Sequence, residues 1–329
     1  MQKQKVSLDL YSNFLIANHN RYSSTELAKV APDEDLSHDT VSRWLASANF
    51  QPTEILSQVN HLVNRDTGYL VLDDCTLDKR YSRVNELAKN QYSGNEHGLV
   101  YGINTVNLLW TDKEKFVPID YRIYRKGTSD NQNKNKNQLF REMLKRAVNK
   151  GFSPFYVLFD TWYSSIENLK FIRSLKLKFI CSVACNRKVS VTKGVYVSVQ
   201  DLKLTKKQVM KVWLKEFGFV LVCKIVAADG SKTHLITNDL TLTDHDEFTG
   251  HFDQRWDIEE FHRGIKQTTG IEKCYSIKAQ SQKTHIFAAF RAFIKLESRR
   301  IKEGISWYEQ KAEVTRVSTA NYMNYLASA

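Results

Sequence analysis

Apolar and polar positions along the chain fall into three regimes. Between residues 8 and 50 the spacing is helical, with short helices predicted at 25–30 and 37–45 around a polar turn at 32–37. Ser37 has the chemistry of an N-cap for the second helix. There Val41, Trp44 and Leu45 share one side, which leaves His38, Thr40, Ser42 and Arg43 facing outward. A linker is expected around 51–66, after which strand-like runs take over. Residues 68–74 form an apolar run that ends in Asp73 and Asp74, and residues 155–160 form another that ends in Asp160. Between them, 99–110 and 116–124 are β-rich runs about a hairpin turn at 111–115, and 179–183 is a further buried-type strand. Amphipathic helices are predicted over 139–148, stopping at Gly151, and over 165–175. The polar tract 131–137 (NQNKNKN) predicts a mobile loop. Residues 187–240 carry β-type runs at 195–199, 217–223 and 233–237 with little helix, which predicts a β insertion. An apolar helix at 285–296 should cover the sheet, and the tail from about 303 is weakly informative. Strands alternating with helices make the chain α/β with a mixed sheet.

The segment 252–266 organises the rest. As one helix turning about 100° per residue, it would set Phe252, Arg255, Glu259 and Lys266 within a face about 60° wide. A solvated face scatters charge of both signs, and an apolar stripe excludes it. An aromatic, two cations and one carboxylate on one face therefore mark a candidate site; an ordinary surface i,i+4 pair of Arg255 with Glu259 is the plain alternative. Trp110, Trp162 and Trp256 read as packing residues, whereas Trp213 has the position of a base-stacking residue.

Composition narrows the partners. With 48 Lys+Arg against 36 Asp+Glu the 329-residue chain carries +12, which favours an anionic partner and nucleic acid above all. No apolar run reaches the roughly eighteen residues of a spanning helix, and no signal peptide opens the chain, so a cytosolic protein with no membrane role is expected. The five scattered cysteines read as reduced thiols and not as a zinc site.

Two acids at the ends of adjacent buried strands would meet at the sheet edge where α/β proteins bind ligands. Glu259, on a helix crossing that edge, would add a third. Three converging carboxylates repel one another unless a cation joins them, and hard oxygen donors suit Mg²⁺ or Mn²⁺. Two such ions support phosphodiester cleavage, with Arg255 and Lys266 placed to neutralise phosphates. Asp73 competes with Asp74 as the first acid because neighbours on a strand point to opposite faces. Glu260 competes with Glu259 but lies off the face of Arg255 and Lys266.

These residues resemble the DDE transposases of bacterial insertion sequences, in the group with a Y-x2-R-x3-E-x6-K signature. Phe252, Arg255, Glu259 and Lys266 match that spacing with Phe in place of Tyr. Residues 72–76 (LDDCT) resemble the family's first-acid segment and point to Asp74; residues 158–163 (LFDTWY) resemble the second and point to Asp160. The resemblance implies an RNase H-like core with Asp74, Asp160 and Glu259 as catalytic metal ligands for two Mg²⁺ or Mn²⁺ ions. It also implies nicking of element ends by water, attack of the 3′-OH on target DNA, and a homodimer on duplex DNA in a bacterial, nucleoid-associated setting. DNA contacts are expected from Phe252, Arg255, Lys266, His38, Thr40, Ser42 and Arg43. The expected divisions are a helical, helix-turn-helix-like DNA-binding region (1–66), a first core part (67–186), the β insertion (187–240), a last core part (241–302) and a tail (303–329). The alternative readings are a silent DNA-binding repressor derived from such an enzyme and an RNase H-like nuclease without strand transfer.

Overall fold

A computed structural model describes residues 6–32, 35–82, 84–93, 98–125 and 134–328. Four helices come first: α1 (Leu8–Ala17), α2 (Ser24–Val30), α3 (His38–Ser47) and α4 (Ile55–Val59). The first three start after Ser7, Ser23 and Ser37, whose side chains accept from the amides of Leu10, Glu26 and Thr40. Each hydroxyl satisfies an amide that has no partner inside its helix.

Strands β1 (Tyr69–Asp78), β2 (Lys89–Ser93), β3 (Gly98–Thr111) and β4 (Phe116–Tyr124) precede α5 (Lys136–Asn149). Then follow β5 (Tyr156–Phe159), α6 (Ile166–Ser174), β6 (Phe179–Val183), β7 (Lys188–Ser190), β8 (Val197–Ser198), β9 (Val209–Leu214), β10 (Gly218–Val226) and β11 (Lys232–Thr237). The chain closes with α7 (His245–Asp253), α8 (Asp257–Thr269), α9 (Ala279–Glu303) and α10 (Trp307–Ser328). All strands join one mixed sheet in the order β2-β3-β1-β5-β6-β11-β10-β9-β7-β8, with β4 also paired to β3. β1 is antiparallel to β3 and parallel to β5, which is itself parallel to β6. The α/β reading with a mixed sheet flanked by helices therefore holds. The region read as a β insertion extends this sheet, because β11 pairs with β6.

Several expectations change. β1 does not stop at its acids but runs on to Asp78, because Cys75 and Leu77 keep the alternation of buried positions while the strand stays paired to β3. The stretch taken for a linker contains α4, whose Ile55, Leu56 and Val59 are buried. The N-terminal helices do not stand apart either. Phe50 stacks on Phe287 of α9 at 4.8 Å, Ser12 donates to the Ala288 carbonyl, and Trp44 meets Tyr11 at 5.3 Å. The apolar face of α3 is thus satisfied by the same core that covers the sheet, and the tail, whose sequence said little, forms α10. Of the polar tract 131–137, the first three residues lie outside the described residues, while Asn135 caps α5 and Lys136 opens it.

Gly68 turns into β1 at φ +77, where a Cβ would lie 2.5 Å from the Thr111 carbonyl oxygen, so only glycine fits. Among the described residues, no helix is long and apolar enough to cross a membrane.

Candidate active site

The parallel register of β1 and β5 builds the site. Leu72 pairs with Phe159, so the next residue on each strand, Asp73 and Asp160, stand side by side where β5 ends. Asp160 then caps a 3-10 turn, Thr161–Tyr163, its carboxylate accepting from the Trp162 amide at 3.0 Å. α8 contacts β1 and brings Glu259 in from one side.

The pleat sends the two neighbouring acids of β1 to opposite faces. Asp73 turns toward α8: its Oδ2 lies 3.6 Å from Arg255 Nη1, which is also 3.6 Å from Glu259 Oε1. Asp74 turns toward α5. Its Oδ2 accepts from Lys136 Nζ at 2.7 Å and Asn104 Nδ2 at 2.9 Å, and its Oδ1 accepts from the Tyr163 hydroxyl at 3.0 Å. Asp74, Asp160 and Glu259 all lie close enough to Asp73 for their charges to act on it, and a cation stands on each side, Arg255 by Asp73 and Lys136 by Asp74.

Their charges interact. Burial, followed by the charges of Asp160, Asp74 and Glu259, pushes Asp73 well above the usual carboxylate range. Burial raises Asp160 as well; Arg255 opposes that rise and Asp74 reinforces it. Burial and the adjoining acids push the Tyr163 phenol well up, so its hydroxyl keeps its proton and donates to Asp74. Asp73 and Asp160, both raised by burial and by neighbouring acids, belong to a donor set short of positive charge, whose hard oxygens fit Mg²⁺ or Mn²⁺. Among the described residues, no three His, Cys, Asp or Glu side chains are grouped so as to hold a metal ion as they stand.

The signature segment is not one helix. A 3-10 turn, Gln254–Trp256, separates α7 from α8, so Phe252 and Glu259 belong to different helices. The tighter turn still carries Arg255 across Phe252, with the guanidinium 5.8 Å from the ring centre. Lys266 lies about 10 Å along α8 from Glu259 at 1.5 Å per residue. There it donates to the Thr76 carbonyl at 2.7 Å and sits 3.1 Å from Glu272, not against Glu259. The four signature residues thus do not form a single cluster: Arg255 reaches Asp73 and Lys266 reaches Thr76 of β1, while Phe252 and Glu259 lie against Arg255. His38, Thr40, Ser42 and Arg43 sit on the outward side of α3, opposite the buried Val41, Trp44 and Leu45, and are not among the contacts of the acids.

The tryptophans also need correction. Trp110 is buried in full, as expected, but Trp162 is 65% exposed and Trp256 54% exposed, so neither is a core residue. Each occupies a 3-10 turn at the site, where the tight geometry turns its ring to solvent. Lys136, Tyr163 and Asn104 were missed by sequence reasoning. Lys136 was hidden in the tract read as a loop, and Asn104 inside an apolar strand; Tyr163, three residues past Asp160, had only its proximity as a signal.

Asp257 opens α8 beside this site. Burial first of all pushes its carboxyl up to about 6 from 3.8, although Thr111 Oγ1 donates to it at 2.5 Å. Its folded pKa lies above its unfolded one, so the stability linked to this group is full below about pH 4 and is lost as pH rises through about 6. Asp257→Asn should therefore raise the melting temperature at pH 7 and flatten the stability curve between about pH 4 and 6. Thermal melts across that range check this; a variant with the wild-type slope would show that another group sets it.

Comparison with known proteins adds to this geometry. The transposase DDE domain matches residues 66–294. No curated protein matches the chain. Among solved structures, the fold is similar to that of the piggyBac transposase in a synaptic complex with hairpin DNA, at TM-score 0.54 and 12% identity, over 100% of this chain and 73% of that one. The Drosophila P element transposase of a strand transfer complex is 10% identical at TM-score 0.29, over 90% of this chain and 65% of that one.

Proposed function

The chain belongs to the transposase DDE-domain family, and on that premise we propose that it cuts duplex DNA at the ends of a mobile element and joins the freed ends to target DNA. The observation that carries this reading is the gathering of Asp73, Asp74, Asp160 and Glu259 at one sheet edge between Arg255 and Lys136. Asp74, Asp160 and Glu259 would hold two Mg²⁺ or Mn²⁺ ions, which when bound activate the attacking oxygen and stabilise the leaving one. Asp74 is taken as the first ligand because residues 72–76 resemble the family's first-acid segment; both it and Asp73 attract a cation, Lys136 and Arg255. Asp73 holds Arg255 toward Glu259, and that guanidinium is positioned to donate to a pair of phosphate oxygens. Lys266, anchored on the Thr76 carbonyl and Glu272, extends the positive lining along β1.

Duplex DNA is the proposed partner, in keeping with the +12 charge, and a homodimer on paired ends is part of the same reading. His38, Thr40, Ser42 and Arg43 form an outward polar face on a capped helix of ten residues, which suits the major groove. In this division residues 67–186 and 241–302, with β1 to β6 and α8, form the catalytic part, β7 to β11 the inserted part, and α1 to α4 the part that reads DNA.

Nicking of a supercoiled plasmid tests the proposal. Purified protein should nick it with Mg²⁺ or Mn²⁺ and cease on chelation, while a gel shift shows DNA still bound. Nicking that survives chelation would contradict the carboxylate–metal reading.

A further inference from the structure

Lys136 is the first residue of α5, and its backbone is fixed by a reciprocal cap: Asn135 Oδ1 accepts from the Gln138 amide, and Gln138 Oε1 accepts from the Asn135 amide. From that fixed point its ammonium reaches 2.7 Å from Asp74 Oδ2 and lies 5.4 Å from the Tyr124 ring and 5.7 Å from the Trp162 ring. The side chain is only 17% exposed, so this pairing is shielded from bulk water. Trp162 ties the arrangement to the second acid, since its amide donates to Asp160. The other donors to Asp74, Asn104 and Tyr163, are neutral. Lys136 thus places its charge beside the oxygen that the proposed metal site requires.

A divalent ion and an ammonium in contact with one carboxylate oxygen repel each other strongly in a half-buried site. We propose that Lys136 is a tethered counter-ion of the metal site: it neutralises Asp74 in the metal-free protein and is displaced when an ion binds. The proposal rests on the reading of Asp74 as a metal ligand. A lysine suits this role better than an arginine, because its compact charge rides on a flexible four-carbon stem and can swing away while the helix stays capped. Once displaced, its charge is available to an anion, and the anion in this setting is a DNA phosphate. By linkage, a phosphate that captures Lys136 favours metal binding and a bound metal favours the phosphate. The positioning of Lys136 therefore couples metal loading to DNA binding.

The test measures Mn²⁺ binding in the absence of DNA, following free Mn²⁺ by electron paramagnetic resonance. Wild type is compared with Lys136→Met, Lys136→Gln and Asp74→Asn, each checked for folding by thermal melting. Removing the lysine charge should tighten Mn²⁺ binding about tenfold, and Asp74→Asn should weaken it. A role in packing alone would not tighten it. If both Lys136 variants bind as wild type or more weakly while Asp74→Asn binds more weakly, the counter-ion role is overturned and the ligand role of Asp74 stands. If Asp74→Asn binds as wild type, the ligand reading itself fails and the inference falls with it.

Discussion

Glu259→Gln is expected to lower DNA cleavage on the order of a thousandfold, while leaving DNA affinity and melting temperature near wild type. The side chain is a third exposed, so its amide replacement leaves the core intact. What the substitution removes is a formal charge at the one carboxylate that α8 contributes to the edge. Arg255 would keep Asp73 as a partner at 3.6 Å and would stay in place, so the loss is one of chemistry and not of fold. Asp74→Asn and Asp160→Asn should behave alike. Asp73→Asn should cost less, because Asp73 is assigned to hold Arg255. Cleavage of a plasmid and a gel shift, run on the same preparations, check the whole set. If Asp73→Asn is the silent variant and Asp74→Asn retains full cleavage, the first-ligand role passes to Asp73.

Phe290→Ala should lower stability by about 3–5 kcal/mol, the largest loss expected of a single core truncation. Its ring stacks on Tyr121 of β4 at 4.2 Å and 12°, and lies 5.9 Å from Phe261 of α8. It is 2% exposed and so joins sheet, α9 and the Glu259-bearing helix at one point. Gly264 shows how closely that interface is packed: a Cβ there would lie 2.7 Å from the Trp307 ring. Truncating Phe290 leaves a cavity that Tyr121 and Phe261 cannot fill without moving α8. Chemical denaturation measures the loss, and cleavage at low temperature should fall with it.

Much of this architecture was legible because single strands carry strong local signals. The apolar runs before Asp73 and Asp160 gave β1 and β5, and the spacing of Phe252, Arg255, Glu259 and Lys266 pointed to the edge that α8 crosses. What stayed hidden depended on partners distant in sequence. That β1 continues past its acids follows from pairing with β3; the alternating Cys75 and Leu77 are too short a run to show it alone. The break between α7 and α8 lies in residues with no proline or glycine to announce it. The placement of Asp73 and Asp74 on opposite faces was foreseeable from the pleat, but their partners, Arg255 and Lys136, come from elements 182 and 62 residues away: 255 − 73 and 136 − 74. Trp162 and Trp256 looked like core residues by composition, and only the 3-10 turns beneath them turn them outward.

The central claim is that the acids at this edge cut and join DNA. The most direct measurement incubates a supercoiled plasmid carrying the gene with its native flanks with wild-type protein and Mg²⁺, beside Asp160→Asn, and sequences every broken and joined end. The account predicts cuts at fixed positions in both flanks and joined products for wild type, with neither from the variant. Equal cutting by both proteins, or binding without any cutting under Mg²⁺ or Mn²⁺, would contradict it.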